Sequence, residues 1–304
     1  RMPQFRFKSS RTLPLISLII VIAIGAGLYL SFHKSNTQST STDVRRYVSF
    51  QGNYLFSIPS KYIANGTALP GATIVYPEES SLQTGQSLDD LYLKGVVTVQ
   101  PIRELKSDNP QAFTAYVKDV LATDLRKTFK GVSDLRPAKQ KDAEAAEVYA
   151  VGEGGKLLRA NYAIDFTQPI LVVAQDRSDT FKTVGFTMED LKKSSLKSDI
   201  DQAADATKEV AERLRDQRIK DLRKNGTTDF NKQNSEAKLG TILKEANVYL
   251  QRPINIVGCL HQGKFFVAQL VFEAKATGEQ PVAGIVSLQK IGKTWKLDGL
   301  QLPK

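Results

Sequence analysis

One cysteine, two histidines, two methionines and a single tryptophan among 304 residues leave this chain short of the side chains on which much catalytic and metal chemistry depends. Cys259 has no partner within the chain, so an internal disulfide is excluded and packed cores must supply the stability. His33 and His261 alone cannot build a His-based zinc site or a His-rich metal site. No Walker lysine loop, no G-x-G-x-x-G after a strand, no H-E-x-x-H and no G-x-S-x-G elbow occurs. The sequence therefore assigns no catalytic residue, no metal ligand and no cofactor. A concentrated positive surplus is also missing from the body of the chain. The net charge of +10 divides unevenly, with five cations and no acid in residues 1–42. Beyond them the balance is 20 cations to 19 acids over 43–198, seven to seven over 199–224, and 10 to 6 over 225–304. None of these stretches has the surplus that phosphate neutralisation favours, so no nucleic acid is expected as partner.

What is present is an ordinary folded composition, 41% apolar and 24% charged, long enough for two domains with real cores. It is preceded by an uncharged apolar run. Residues 13–31 carry no charge, and at about 1.5 Å per residue some 20 helical residues cross the roughly 30 Å hydrocarbon layer. The run exceeds the h-region of a cleaved signal peptide, and Phe32-His33-Lys34 is a poor cleavage site, so a retained transmembrane helix is expected. Arg1, Arg6, Lys8 and Arg11 lie in the basic segment 1–12, whereas Lys34 is the only formal cation between the run and Asp43. Positive charge inside places the N-terminus in the cytoplasm and everything after the run outside. Residues 32–46 then form a tether, whose Ser35–Thr42 tract reaches roughly 15 Å by random-coil scaling. Arg45 and Arg46 follow it and are the candidate contacts with the membrane surface.

The stretch Tyr47–Pro59 reads as two short strands around Gly52-Asn53. Strand candidates follow at 73–76 and 96–102, then an amphipathic stretch over 110–130, then strands at 143–151, 157–166 and 170–175. The opening Tyr-x-Ser-Phe-x-Gly-Asn-Tyr-x-Phe-Ser-Ile-Pro motif, the central helix and the later strands resemble the antiparallel αβα sandwich of the photosystem extrinsic protein PsbP and its bacterial lipoprotein relatives, over about 47–198. The resemblance implies a non-enzymatic extracytoplasmic module that assists assembly or binds at a membrane surface.

Residues 199–224 read as an amphipathic connecting helix ending at Asn225-Gly226. A second helix over 232–246 precedes strands at 254–260, 265–274, 282–290 and 294–300. Helices followed by consecutive antiparallel strands, closing on Gly292-Lys-Thr-Trp-Lys-Leu-Asp-Gly-Leu300, resemble the cone-shaped fold of nuclear transport factor two over 225–304. That resemblance implies a bent sheet with a pocket, and Tyr249, Cys259, Phe265, Phe272 and Trp295, together with Phe266, are its candidate lining. The expected fold class is thus α+β: a single transmembrane helix, a PsbP-like sandwich and a cone-shaped domain.

Cys259 and His261 lie two apart on one predicted strand and form the one nucleophile and base pair the sequence offers; a buried thiol beside a turn histidine is the competing reading. Glu78-Glu79 and Asp89-Asp90 fall in a polar loop that provides neither burial nor convergence. Asn65-Gly-Thr67 and Asn225-Gly-Thr227 match the glycosylation tripeptide. Together these readings point to a plasma-membrane-anchored extracytoplasmic binding or assembly protein with a protein partner at the cell envelope. The alternatives are a small hydrolase or isomerase using the C-terminal pocket, and a structural subunit of an envelope complex.

Overall fold

The computed structural model describes residues 44–58, 61–69, 71–77, 97–101, 131–132, 136–140, 143–151, 157–163, 170–175, 184 and 187–304. The apolar run 13–31, the predicted helix over 110–130 and the two acidic pairs lie outside them. Among the described residues, no helix is long and apolar enough to cross a membrane.

The architecture is mixed α+β with two antiparallel sheets. Strands β1 (Arg46–Ser49) and β2 (Tyr54–Ser57) form the predicted hairpin, with Asn53 at φ 56° in its turn. The hairpin joins strands from the far end of the chain. β1 pairs with β12 (Ile254–Gln262), setting Arg46 opposite His261 and Ser49 opposite Gly258. β13 (Phe265–Phe272), β14 (Val282–Ile291) and β15 (Thr294–Gln301) continue the sheet, and the two-residue β11 (Glu189–Asp190) closes it beyond β2. The sequence reading groups the hairpin with residues 47–198; the structure seats it in the sheet of the C-terminal strands. The second sheet follows the order β3 (Tyr62–Leu69), β4 (Ala72–Pro77), β5 (Val97–Pro101), β10 (Ile170–Gln175), β9 (Leu157–Ala163), β8 (Ala143–Val151) and β6 (Gly131–Val132), with β7 (Arg136–Gln140) also on β8.

The seven-stranded sheet is a middle layer. Its strands are accordingly apolar at both parities, as sheets covered on both faces require. Tyr47, Tyr54, Phe56, Leu260, Val267 and Ile285 pack against Ile63, Val75, Val99 and Ile170 of the second sheet. Val48, Leu55, Cys259, Phe266, Phe272 and Leu297 point the other way, into a core shared with the helices.

Those helices are α1 (Lys197–Arg215), α2 (Ile219–Lys224), α3 (Thr228–Gln233) and α4 (Glu236–Leu250). α1 buries Ile200, Ala203, Thr207, Val210 and Leu214, recurring at three- and four-residue steps. At 19 residues it is roughly 28 Å long and spans the length of the strands. The predicted continuous helix over 199–224 is thus two helices, broken at Gln217, where φ is +54°. Thr227 and Ser235 cap α3 and α4 by accepting from Phe230 N and Lys238 N.

Candidate functional site

Side chains on the helix-facing parity of the middle sheet bring a charged cluster together at one end. α1 presents Asp199 in its first turn, where the unpaired amides of a helix N-terminus favour a carboxylate. His261 comes from β12 and Lys290 from β14. Asp199 Oδ2 lies 3.1 Å from His261 Nε2, and its Oδ1 accepts a short hydrogen bond from Lys290 Nζ. Trp295 closes the group from β15: its ring meets His261 edge-on at 6.4 Å and Phe266 at 5.8 Å, and Lys290 Nζ sits 5.6 Å from its centroid. The indole Nε1 is buried without a hydrogen-bond partner. Burial pushes the Asp199 carboxyl upward, but hydrogen bonds and charge from Lys290 and His261 outweigh it, and the net pKa lies below the ordinary aspartate value.

A second polar group, neutral and deeper, joins the two sheets. Gln269 is fully buried on the opposite parity of β13. Its Oε1 accepts from Tyr47 Oη at 3.1 Å and from Gly66 N at 2.9 Å, while its Nε2 donates to Ala64 O at 2.8 Å. Tyr54 Oη is 2.8 Å from Thr73 Oγ1 and donates to Val99 O at 3.2 Å. Burial raises the Tyr54 phenol to about 12 and drives that of Tyr47 well above its usual value. Gly258 and Gly66 make room for Tyr47: a Cβ on either would lie 2.1 or 2.2 Å from its hydroxyl oxygen.

The residues singled out from sequence do not all converge. Cys259, Phe272 and Trp295 belong to the helix-side core, and Tyr249 is half-buried at its margin with the Arg252 guanidinium 5.0 Å from its ring. Phe265 starts β13 one residue before Phe266 and faces the other way, so it shares no surface with Phe272. Cys259 is fully buried, and desolvation raises its thiol well above the usual value, which disfavours the nucleophilic thiolate. His261 is buried in β12 and holds Asp199; the reading of it as a solvent-facing turn residue gives way to this pairing. Arg45 Nη2 donates to Tyr62 O, which directs that side chain inward, whereas Arg46 is half-buried at the start of β1. Both glycosylation tripeptides are tied into the fold. Asn65 is fully buried and accepts from the Thr67 hydroxyl; Asn225 Nδ2 donates to Asp221 O, and the buried Thr227 donates to Asp298. Among the described residues, no three of His, Cys, Asp and Glu are grouped to hold a metal ion.

Asp199, Lys290, Tyr47, Tyr54 and Gln269 were not candidates from the sequence, yet a signal for some of them is there. Gln269 interrupts the apolar run Phe265–Phe272, and a buried amide needs partners. His261 shares parity with Cys259, and Lys290 with Leu288, which puts both on a core-facing stripe.

A scan against protein families finds no match. A search of curated proteins likewise finds none. Solved structures similar to part of the chain include the Ran-binding protein Mog1p of Saccharomyces cerevisiae, 12% identical, covering 49% of this chain and 96% of that one at a TM-score of 0.31. Cyanobacterial PsbP (CyanoP) from Synechocystis is also 12% identical, covering 51% of this chain and 96% of that one at a TM-score of 0.32.

Proposed function

We propose that this protein is a single-pass, N-in membrane protein that holds its folded body outside the plasma membrane and works there by binding or assembly rather than by catalysis, with a protein partner at the cell envelope. The observation that carries the reading is the use made of the one nucleophile and base pair. The Cys259 thiol is sealed in the core with its ionisation disfavoured, and His261 is tied to Asp199, whose other oxygen holds Lys290. Groups matched to one another in this way supply packing and orientation, and general acid or base work needs a proton-transfer atom aimed at a substrate. The uncharged run 13–31, its four preceding cations and the Ser/Thr/Asn/Gln tract support the location. The C-terminal helices and consecutive antiparallel strands are compatible with the cone-shaped fold that the sequence resembles.

The location is tested by alkaline carbonate extraction of membranes from cells expressing the full chain. The chain is expected to stay with the pellet, and deletion of 13–31 to release it; release of the intact chain would contradict the anchor. The binding reading is tested by combining Cys259→Ala and His261→Ala in partner capture from crosslinked membranes. Capture is expected to persist in the double variant.

A further inference from the structure

The register of the middle sheet collects one kind of surface at a single end. The chain enters β1 there at Val44, Arg45 and Arg46, beside His261 and Ser57. The β12–β13 turn through Gly263 and Lys264 and the β14–β15 turn through Gly292 and Lys293 lie at the same end, as Gln262 pairs with Phe265, Phe265 with Gln289, and Ile291 with Thr294. Lys61 joins them, because Ile58 N donates to Arg45 O and the neighbouring Tyr62 carbonyl accepts from Arg45.

Arg46, Lys61, Lys264 and Lys293 are in no ion pair among the described residues. Among the described residues, the acids nearby are matched, Asp199 by Lys290 and His261 and Asp201 by Lys197. Of the three large apolar side chains exposed among the described residues, two are here: Val44 at 52% and Ile291 at 48%. At the opposite end Lys275 and Lys304 are likewise in no ion pair among the described residues, whereas Arg252 pairs with Glu279, Arg215 and Arg218 with Asp216, and Glu273 accepts from Asn255.

We infer that this end of the middle sheet is a docking rim for an anionic lipid bilayer, on which Arg46, Lys61, Lys264 and Lys293 meet the headgroups while Val44 and Ile291 enter the interface. The inference rests on the anchored reading above, which supplies the bilayer. The tether leads from the apolar run into this end, and its eight-residue tract reaches only roughly 15 Å. A body held that close can bring cations at this end within one Debye length of the surface, about 8 Å at physiological salt. Each cation that comes within that distance strengthens docking by about fivefold.

The test uses the full chain reconstituted into vesicles of phosphatidylcholine, or of an equal mixture of phosphatidylcholine and phosphatidylglycerol, with headgroup spin-labelled lipid as quencher. A fluorophore is placed on Thr294→Cys at the rim or on Val248→Cys near the far end of α4; the buried Cys259 stays unlabelled in the folded chain. Quenching at 294 is expected on the anionic vesicles, well above that on phosphatidylcholine and above that at 248. Raising the salt to about 1 M, which shortens the Debye length to about 3 Å, is expected to remove the difference. So is the combined Arg46→Glu, Lys61→Glu, Lys264→Glu and Lys293→Glu variant, with a loss of about a hundredfold or more in the docked population. Equal quenching at 294 on both vesicle types, or none on the anionic ones, would overturn the inference. The salt arm decides the matter if the variant fails to fold. A chain released by carbonate yet still quenched on anionic vesicles would overturn the anchor and leave the rim standing.

Discussion

The two faces of the middle sheet solve the problem of buried polarity differently. The face toward the second sheet holds neutral groups, Tyr47, Tyr54 and Gln269, each fully buried; Tyr54 and Gln269 bond across the layer boundary, and Tyr47 bonds to Gln269 within the sheet. The face toward the helices is apolar along its length and admits charge at one end, where the Asp199 and Lys290 side chains keep 25% and 29% of their exposure. A neutral hydrogen bond survives complete drying because its partner replaces water, whereas a charge keeps its desolvation cost low by staying near solvent. The sheet-facing interface is thus fixed by geometry. The helix-facing one is locked at its rim by electrostatics.

That contrast can be broken most severely at Gly258. A Cβ there would lie 2.1 Å from the Tyr47 hydroxyl and 2.8 Å from the Val48 carbonyl oxygen. Gly258→Val is expected to cost about 3 kcal/mol, read as a lowered urea midpoint. Gln269→Leu comes next, since it leaves Tyr47 Oη, Gly66 N and Ala64 O without their partner; about 2 kcal/mol is expected. Adding Tyr47→Phe should recover part of that loss, and a strictly additive double variant would show that the hydroxyl is not coupled to the amide.

On the charged face the effects are smaller and depend on pH. The folded-state pKa of Asp199 lies below its unfolded value, so its ionised form stabilises the fold above the ordinary aspartate range. That contribution is lost as pH falls below about 4. Asp199→Asn is expected to cost about 1 kcal/mol near neutrality and to weaken the fall of the urea midpoint in acid. An unchanged acid limb would show that the carboxylate does not lock the rim. Cys259→Ala is expected to cost a similar amount, about 1 kcal/mol, without changing the acid limb, and thiol labelling of the parent chain should appear only on unfolding.

Much of the strand order was readable because apolar runs bounded by Gly and polar turns mark strands wherever they pair. The reading for 143–151 and 170–175 coincides with β8 and β10, and all four C-terminal strands were found within a few residues of their ends. Partnership was not readable. Nothing local to Tyr47-Val48-Ser49 says that it pairs with Cys259 some 200 residues on, because register across sheets is set by long-range packing. One clue was available: Tyr47 and Val48 are adjacent and both apolar, as are Phe265, Phe266 and Val267, and a sheet with a wet face would alternate. The candidate site was legible only in part. Cys259 and His261 were located on one strand face, but Asp199 reaches His261 only because α1 lies along the strands, and no spacing in the chain encodes that crossing.

The side of the membrane at which the folded body lies decides whether an envelope partner and an outer bilayer surface are within its reach. Intact cells expressing Val248→Cys, treated with a membrane-impermeant maleimide, test this directly, since Val248 is exposed and away from the rim and Cys259 is buried. Labelling without detergent, equal to that after lysis, is the expected result; labelling only after lysis would place the body in the cytoplasm and contradict the account.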